Sequence, residues 1–203
     1  MSPKNLIFAI VLGGALAAGI FVASEVNKPA DLQTAFVIPL PNPLPDFSLL
    51  DQSGDLVNAD TFRGQWDLVF FGFTNCPDVC PTTLQVLASA RSKLIENGEE
   101  TLPRIVLVSV DPDRDTPELL GQYVDYFGEG NLGVTGELEG VKTLTAALGI
   151  YFEKAPAENG NYGVDHSAAV LVINPDGEFA ALFSAPHTVA NFAHDLPIVM
   201  GTN

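Results

Sequence analysis

The sequence predicts an α/β domain in which parallel strands joined by helices are followed by an antiparallel hairpin and a closing helix. Three observations carry this expectation. Two apolar runs, Leu68-Val69-Phe70-Phe71 and Ile105-Val106-Leu107-Val108-Ser109-Val110, have the composition of strands covered on both faces. Helical patterns with apolar residues at three-and-four spacing follow them, over Thr82–Asn97 and from Pro117 to about Phe127. Near the end, Ala168–Ile173 and Phe179–Phe183 flank Asn174-Pro175-Asp176-Gly177, a turn between two short apolar runs.

Taken in order, the chain begins with an appendage. Leu6–Ala23 is eighteen residues of Leu, Ile, Phe, Val, Ala and Gly without a charge, just long enough to cross a bilayer as one transmembrane helix. Lys4 precedes it and Glu25 follows, so the positive-inside rule keeps the amino terminus cytoplasmic and exports the rest. A cleaved signal peptide is the alternative, but Val22-Ala23-Ser24 makes a poor cleavage site. No Arg- and Ser-rich stretch of the transit type precedes the segment, which favours a bacterial inner membrane with the domain in the periplasm. The expected organisation is an anchor over 1–24, a proline-rich linker over 25–43 and a domain over 44–203. Prolines at 29, 39, 41, 43 and 45 suit a semi-extended linker.

The domain opens with a hairpin signature: Phe47-Ser48-Leu49-Leu50, a polar turn through Gly54, then Leu56-Val57. The strand over Leu68–Phe73 follows, then the helix stopped by Asn97-Gly98. After the second apolar strand, Asp111–Asp115 is a loop, and Thr116-Pro117-Glu118 caps the next helix. Gly128–Gly140 reads as a loose connection, Val141–Leu148 as a short helix and Ile150-Tyr151-Phe152 as a strand. Ala155–Gly163 reads as a polar loop, and Val189–Val199 as the terminal helix.

Composition excludes some functions. The 203 residues carry 25 acids against 9 bases, a net charge of −16. Nucleic-acid binding needs a basic face that replaces counterions, and none is available. Gly128-Glu129-Gly130-Asn131-Leu132-Gly133 satisfies a nucleotide-binding pattern by letter. It follows a helix instead of a strand, however, and places an acid where pyrophosphate would lie, so no nucleotide is expected. Asp111–Asp115 begins like a calcium loop, but Thr116 stands where the glycine is needed and Gln122 where the final Glu is needed.

The chemistry concentrates in Cys76-Pro77-Asp78-Val79-Cys80, which holds both cysteines of the chain at a strand-to-helix junction. Backbone N–H groups and the helix dipole there favour a thiolate. If the helix reaches back through the motif, the two thiols share a face and form either a redox disulfide or two soft metal ligands. A structural bridge over so short a loop would restrict the unfolded chain little. Two thiolates and one histidine suit Cu(I) or Zn(II), and three ligands leave a position open for transfer. The histidines are His166, at the start of the last hairpin, His187 beyond its second strand, and His194 on the terminal helix.

Three separated stretches give a resemblance. Phe71-Gly72-Phe73-Thr74-Asn75-Cys76-Pro77-Asp78-Val79-Cys80-Pro81, Ser109-Val110-Asp111-Pro112-Asp113-Arg114-Asp115-Thr116-Pro117 and Tyr162-Gly163-Val164-Asp165-His166-Ser167 are similar to motifs of the Sco/SenC family. Gly133-Val134-Thr135-Gly136 and Gly149-Ile150-Tyr151-Phe152 also resemble its pattern, and the likeness covers roughly residues 44–200. The resemblance implies a thioredoxin-like fold with an added N-terminal β-hairpin. It further implies copper, as Cu(I) or Cu(II), held by Cys76, Cys80 and His166, with Cys76 and Cys80 also forming the redox disulfide. Such proteins deliver copper to the dinuclear centre in subunit II of cytochrome c oxidase, directly or through copper-delivering accessory proteins, or reduce that subunit's cysteines. The resemblance therefore implies a metallochaperone, with thiol–disulfide reductase as the alternative. CxxxC departs from the CxxC usual in reductases of this fold, and a peroxidase of the peroxiredoxin type lacks its motif here. The family ties Asp111 and Asp115 to structure or partner docking. Asp165 or a backbone carbonyl is expected to bond the far nitrogen of the imidazole and orient the ring.

Overall fold

The structure, a computed structural model, describes residues 31–156 and 162–201. The expected membrane anchor lies outside them. Among the described residues, no helix is long and apolar enough to cross a membrane. The strands are β1 (Ala35–Pro43), β2 (Leu49–Asp51), β3 (Leu56–Val57), β4 (Asp67–Gly72), β5 (Arg104–Ser109) and β6 (Leu132–Thr135). They continue with β7 (Phe152–Pro156), β8 (Tyr162–His166), β9 (Val170–Ile173) and β10 (Glu178–Phe183). The helices are α1 (Val79–Glu96), α2 (Pro117–Asp125), α3 (Leu138–Leu148) and α4 (Val189–Gly201). Eight strands form one mixed sheet in the order β1-β10-β9-β4-β5-β6-β2-β3, while β7 and β8 pair separately.

The two apolar runs are the centre of this sheet. All six residues of β4 are buried, including Phe70 and Phe71 at 0% exposure, so each of those rings contributes about 1.5–3 kcal/mol of burial. Strands β4 and β5 are parallel from Asp67↔Arg104 to Gly72↔Ser109. Their carboxyl ends therefore lie side by side, and the loops over 73–78 and 110–116 leave the sheet together. Strand β9 runs antiparallel along the other side of β4, with Val170 opposite Phe70. That register carries the segment just before β9 toward the same end of the sheet. The C-terminal hairpin turns at Gly177, whose φ of +77° is one that a residue with a Cβ rarely adopts.

Several expectations need correction. The linker expected over 25–43 is a strand in its second part: β1 pairs antiparallel with β10 at the sheet edge. Its prolines do not prevent this. Pro39 and Pro41 fall in the interval between Val37 and Asn42 where the register shifts, and an edge strand tolerates a missing N–H. The boundary accordingly moves from residue 44 to Leu32, where the compact unit begins. The loose connection expected over 128–140 contains β6, fully buried and parallel to β5. Gly133 let this strand pass for a loop, but its missing Cβ gives Leu120 room: a Cβ there would lie 3.1 Å from that of Leu120. The polar loop expected over 155–163 contains the ends of β7 and β8, with residues 157–161 outside the described residues. One face of that hairpin is solvated, so its composition is polar.

Candidate metal centre

Cys76 and Cys80 stand where β4 hands over to α1. The chain leaves the sheet at Gly72, and a bend follows in which the Cys76 N–H donates to the Phe73 carbonyl at 3.3 Å. Helix α1 starts at Val79, three residues earlier than expected, so Cys80 lies in its first turn and Cys76 in the loop before it. The helix does not run through both thiols. They meet because Cys76 Sγ accepts the Cys80 backbone N–H at 3.4 Å, an orphan donor of the helix start that the Asp78 side chain leaves unbonded. Both thiols are free; Cys76 is partly exposed and Cys80 fully buried.

Gly72 sets how closely Cys80 approaches the sheet. A Cβ at this position would lie 2.9 Å from Cys80 Sγ and 3.0 Å from Phe70, closer than such atoms pack. Glycine here keeps the space that the thiol occupies. Burial, above all, pushes the Cys80 thiol well above its ordinary range, so without metal it holds its proton at neutral pH.

His166 is the last residue of β8 and arrives from the other side of β4. Its Nε2 lies 3.5 Å from Cys80 Sγ. Its Nδ1 lies 3.0 Å from the Ser167 carbonyl oxygen, which only accepts, so the proton belongs on Nδ1 and Nε2 offers its lone pair to the thiols. This backbone carbonyl, and not Asp165, is the partner that orients the ring. Phe70 and Phe73 meet the imidazole edge-on at centroid distances of 5.8 and 5.9 Å. Burial lowers its pKa, against the opposing Ser167 bond and Asp165 charge, which favours the neutral form that coordinates metal. Cys76 Sγ, Cys80 Sγ and a His166 ring nitrogen all lie within 4.8 Å of one another. Among the described residues, this trio brings together the three residues expected as ligands.

The other histidines are engaged elsewhere. His187 Nε2 donates to the Ala168 carbonyl at 2.6 Å, and His194 Nδ1 bonds the Asp195 carboxylate at 2.8 Å. Asp115 acquires a definite role. Its carboxylate accepts the Thr74 hydroxyl at 2.5 Å, the Thr74 N–H at 3.1 Å and the Ser109 hydroxyl at 2.6 Å, tying the thiol loop to the end of β5. Thr74, Ser109, Gly72 and Ser167 had been visible as motif letters, yet only their neighbours show what they do. Gly72 and Ser109 end β4 and β5, and small or hydroxyl residues at strand ends are the signal for them.

A parallel β-α-β unit with thiols at the head of its helix, and an imidazole brought in just before a C-terminal hairpin, defines a thioredoxin-like domain with a soft-metal site. The chain belongs to the SCO1/SenC family, whose pattern matches residues 41–201. It is 34% identical over 179 residues to a putative copper-binding protein of Stutzerimonas stutzeri, covering 88% of this chain and 87% of that one. It is 35% identical over 187 residues to the human protein SCO1 homolog, mitochondrial, covering 90% of this chain and 62% of the human one, so it spans less than two thirds of the latter. The structure of Arabidopsis thaliana ScoI with copper bound superposes with a TM-score of 0.75 at 32% identity, over 79% of this chain and 99% of that one.

Proposed function

We propose that this protein is a membrane-anchored copper chaperone that helps assemble the dinuclear copper centre of cytochrome c oxidase. The observation that carries the reading is the cluster of two thiols and one imidazole within 4.8 Å. Family membership supports it, as does the copper-bound ScoI relative of the same fold. Copper is the cargo. The thiols lose their protons to become thiolate ligands, and the His166 Nε2 lone pair supplies the third donor while Nδ1 keeps its proton on Ser167. Three donors leave a position through which an acceptor's ligand can enter before the chaperone's ligands leave. If Cys76 and Cys80 give two electrons and two protons to an external oxidant such as another protein's disulfide, they join as a disulfide and no thiolate remains, so loading is gated by redox state.

The receiving protein in this reading is subunit II of the oxidase or an accessory protein that delivers copper to it. The uncharged stretch over 6–23 and Lys4 support an inner-membrane anchor with the domain in the periplasm. Alkaline phosphatase fused after residue 203 should then be active in cells, and an inactive fusion would overturn the orientation.

One observation favours a second reading, reduction of the oxidase subunit's cysteines. Cys76 is partly exposed and Cys80 buried, the asymmetry of an attacking and a resolving thiol. Copper binding to the reduced full chain in detergent separates the two, by metal analysis and competition with a Cu(I) chelator. One copper per chain, lost in Cys76→Ser/Cys80→Ser and weakened in His166→Ala, is the expected result. No retained copper, together with rapid reduction of a model disulfide, would leave the reductase reading in its place.

A further inference from the structure

We infer that the Asp111–Asp115 loop is a bracket that sets the thiol–imidazole spacing, and that Asp111 and Arg114 position His166 by holding Tyr162. The inference rests on the proposed copper site and adds residues that touch no ligand. Strands β7 and β8 form a two-stranded sheet outside the main one, and an isolated pair of this kind is marginally stable in water. Its described residues are mostly exposed or half-buried, with Val164 buried. Side-chain contacts from elsewhere must therefore fix where the hairpin, and the imidazole at its end, comes to rest.

Val164 and Phe152 pack against the core, and the polar contacts converge on Tyr162, at the opposite end of β8 from His166. The Tyr162 hydroxyl donates to Asp111 Oδ1 at 2.6 Å, and Arg114 Nη1 donates to the Tyr162 carbonyl at 3.1 Å. The Arg114 guanidinium also lies 3.8 Å from the centroid of the Tyr162 ring. Asp111 is fully buried and paired with Arg114, so its charge is desolvated and its contacts are strong ones. The same guanidinium lies 5.7 Å from the Phe73 ring, whose edge contact with His166 completes a packed path to the site. Lys154 of β7 joins the assembly, with its ammonium 4.8 Å from the centroid of the Tyr162 ring and paired with Asp113.

The other half of the bracket is Asp115, which holds the thiol loop through Thr74. One five-residue loop at the end of β5 thus grips the thiols from one side and the imidazole strand from the other. Loss of the Tyr162 hydroxyl frees the imidazole strand and leaves the Asp115–Thr74 hold on the thiol loop in place.

The test uses the reduced full chain in detergent, with Tyr162→Phe and Arg114→Ala beside Lys142→Ala, an exposed residue of α3 paired with Glu139 and outside the assembly. Hydrogen exchange of the amides over 162–166 reads the bracket without metal, and Cu(I) competition and the rate of disulfide formation read the site. Faster exchange in Tyr162→Phe and Arg114→Ala is expected, with Cu(I) affinity lowered about tenfold, as loss of a hydrogen bond to a charged group allows. Disulfide formation should be unchanged in Tyr162→Phe, and Lys142→Ala should match wild type in all three readings. Tyr162→Phe keeps the ring and guards against simple unfolding in the larger change. Exchange that stays at the wild-type rate in both variants would overturn the bracket, as would faster exchange with unaltered copper affinity. If wild type itself bound no copper, the proposed function would fail instead, while the exchange result would still report on the bracket.

Discussion

At the scale of single residues, the site is built by close approach and by satisfied donors. Gly72 is the sharpest case, because its missing Cβ is the space beside Cys80 Sγ. Gly72→Ala should push the thiol off its position, lower Cu(I) affinity about tenfold and destabilise the fold by about 1–3 kcal/mol, the range for overpacking. Chelator competition and urea unfolding measure the two effects. Asp115 is a second case. Asp115→Ala removes the acceptor of the Thr74 N–H, the Thr74 hydroxyl and the Ser109 hydroxyl in a buried setting. The expected loss is about 3 kcal/mol in urea unfolding. In the sequence Asp111 and Asp115 are two of the three acids of a loop. Their burial could not be read there, since the donors that make it tolerable are far apart in the chain.

At the scale of elements, β1 is the instructive one. Its start is held by the Asp195 carboxylate of α4, which accepts the N–H groups of Gln33, Thr34 and Ala35 at 2.8–3.1 Å. Burial pushes this carboxyl up, but the Gln33 bond, His194 and the remaining N–H groups outweigh it and hold the pKa at about 2. A depressed carboxyl stabilises the fold above its unfolded value of 3.8, and the contribution is lost as pH falls toward 2. Asp195→Asn should therefore cost about 2 kcal/mol at pH 7, and the difference from wild type should shrink between pH 4 and 2 in urea unfolding. A chain begun at residue 44 should lose β1, uncover the edge of β10, unfold at lower urea than wild type and aggregate more readily. Prolines made this segment look like a tether, and it is the pairing partner β10, more than 130 residues away, that makes it a strand.

At the scale of the whole molecule, copper binding and stability are linked. A ligand that binds the folded state alone stabilises it by about 4 kcal/mol at a thousand times its Kd. For a domain of this size that is a rise in Tm of roughly 8–16 °C. Calorimetry of the reduced protein should show that rise with Cu(I), a smaller one for His166→Ala and none after oxidation to the disulfide. The chain's net charge of −16 favours a basic face on whichever protein receives the metal.

By itself the sequence determined the central strands, the helices that follow them, the C-terminal hairpin and the motif that carries Cys76 and Cys80. These are local facts: apolar runs, caps and turn residues act within a few positions of one another. Its likeness to the Sco/SenC motifs also pointed to His166, which no spacing would have chosen over His187 or His194. Only the tertiary structure decided that Gly133 lies in a strand, that the proline-rich segment joins the sheet, and that Cys76 meets Cys80 from a loop and not from a shared helix. Only it showed Asp111, Arg114 and Tyr162 as one assembly. The physical reason is common to all of these. Each depends on a partner distant in the chain, and burial, register and hydrogen bonding exist only once the sheet has brought those partners together.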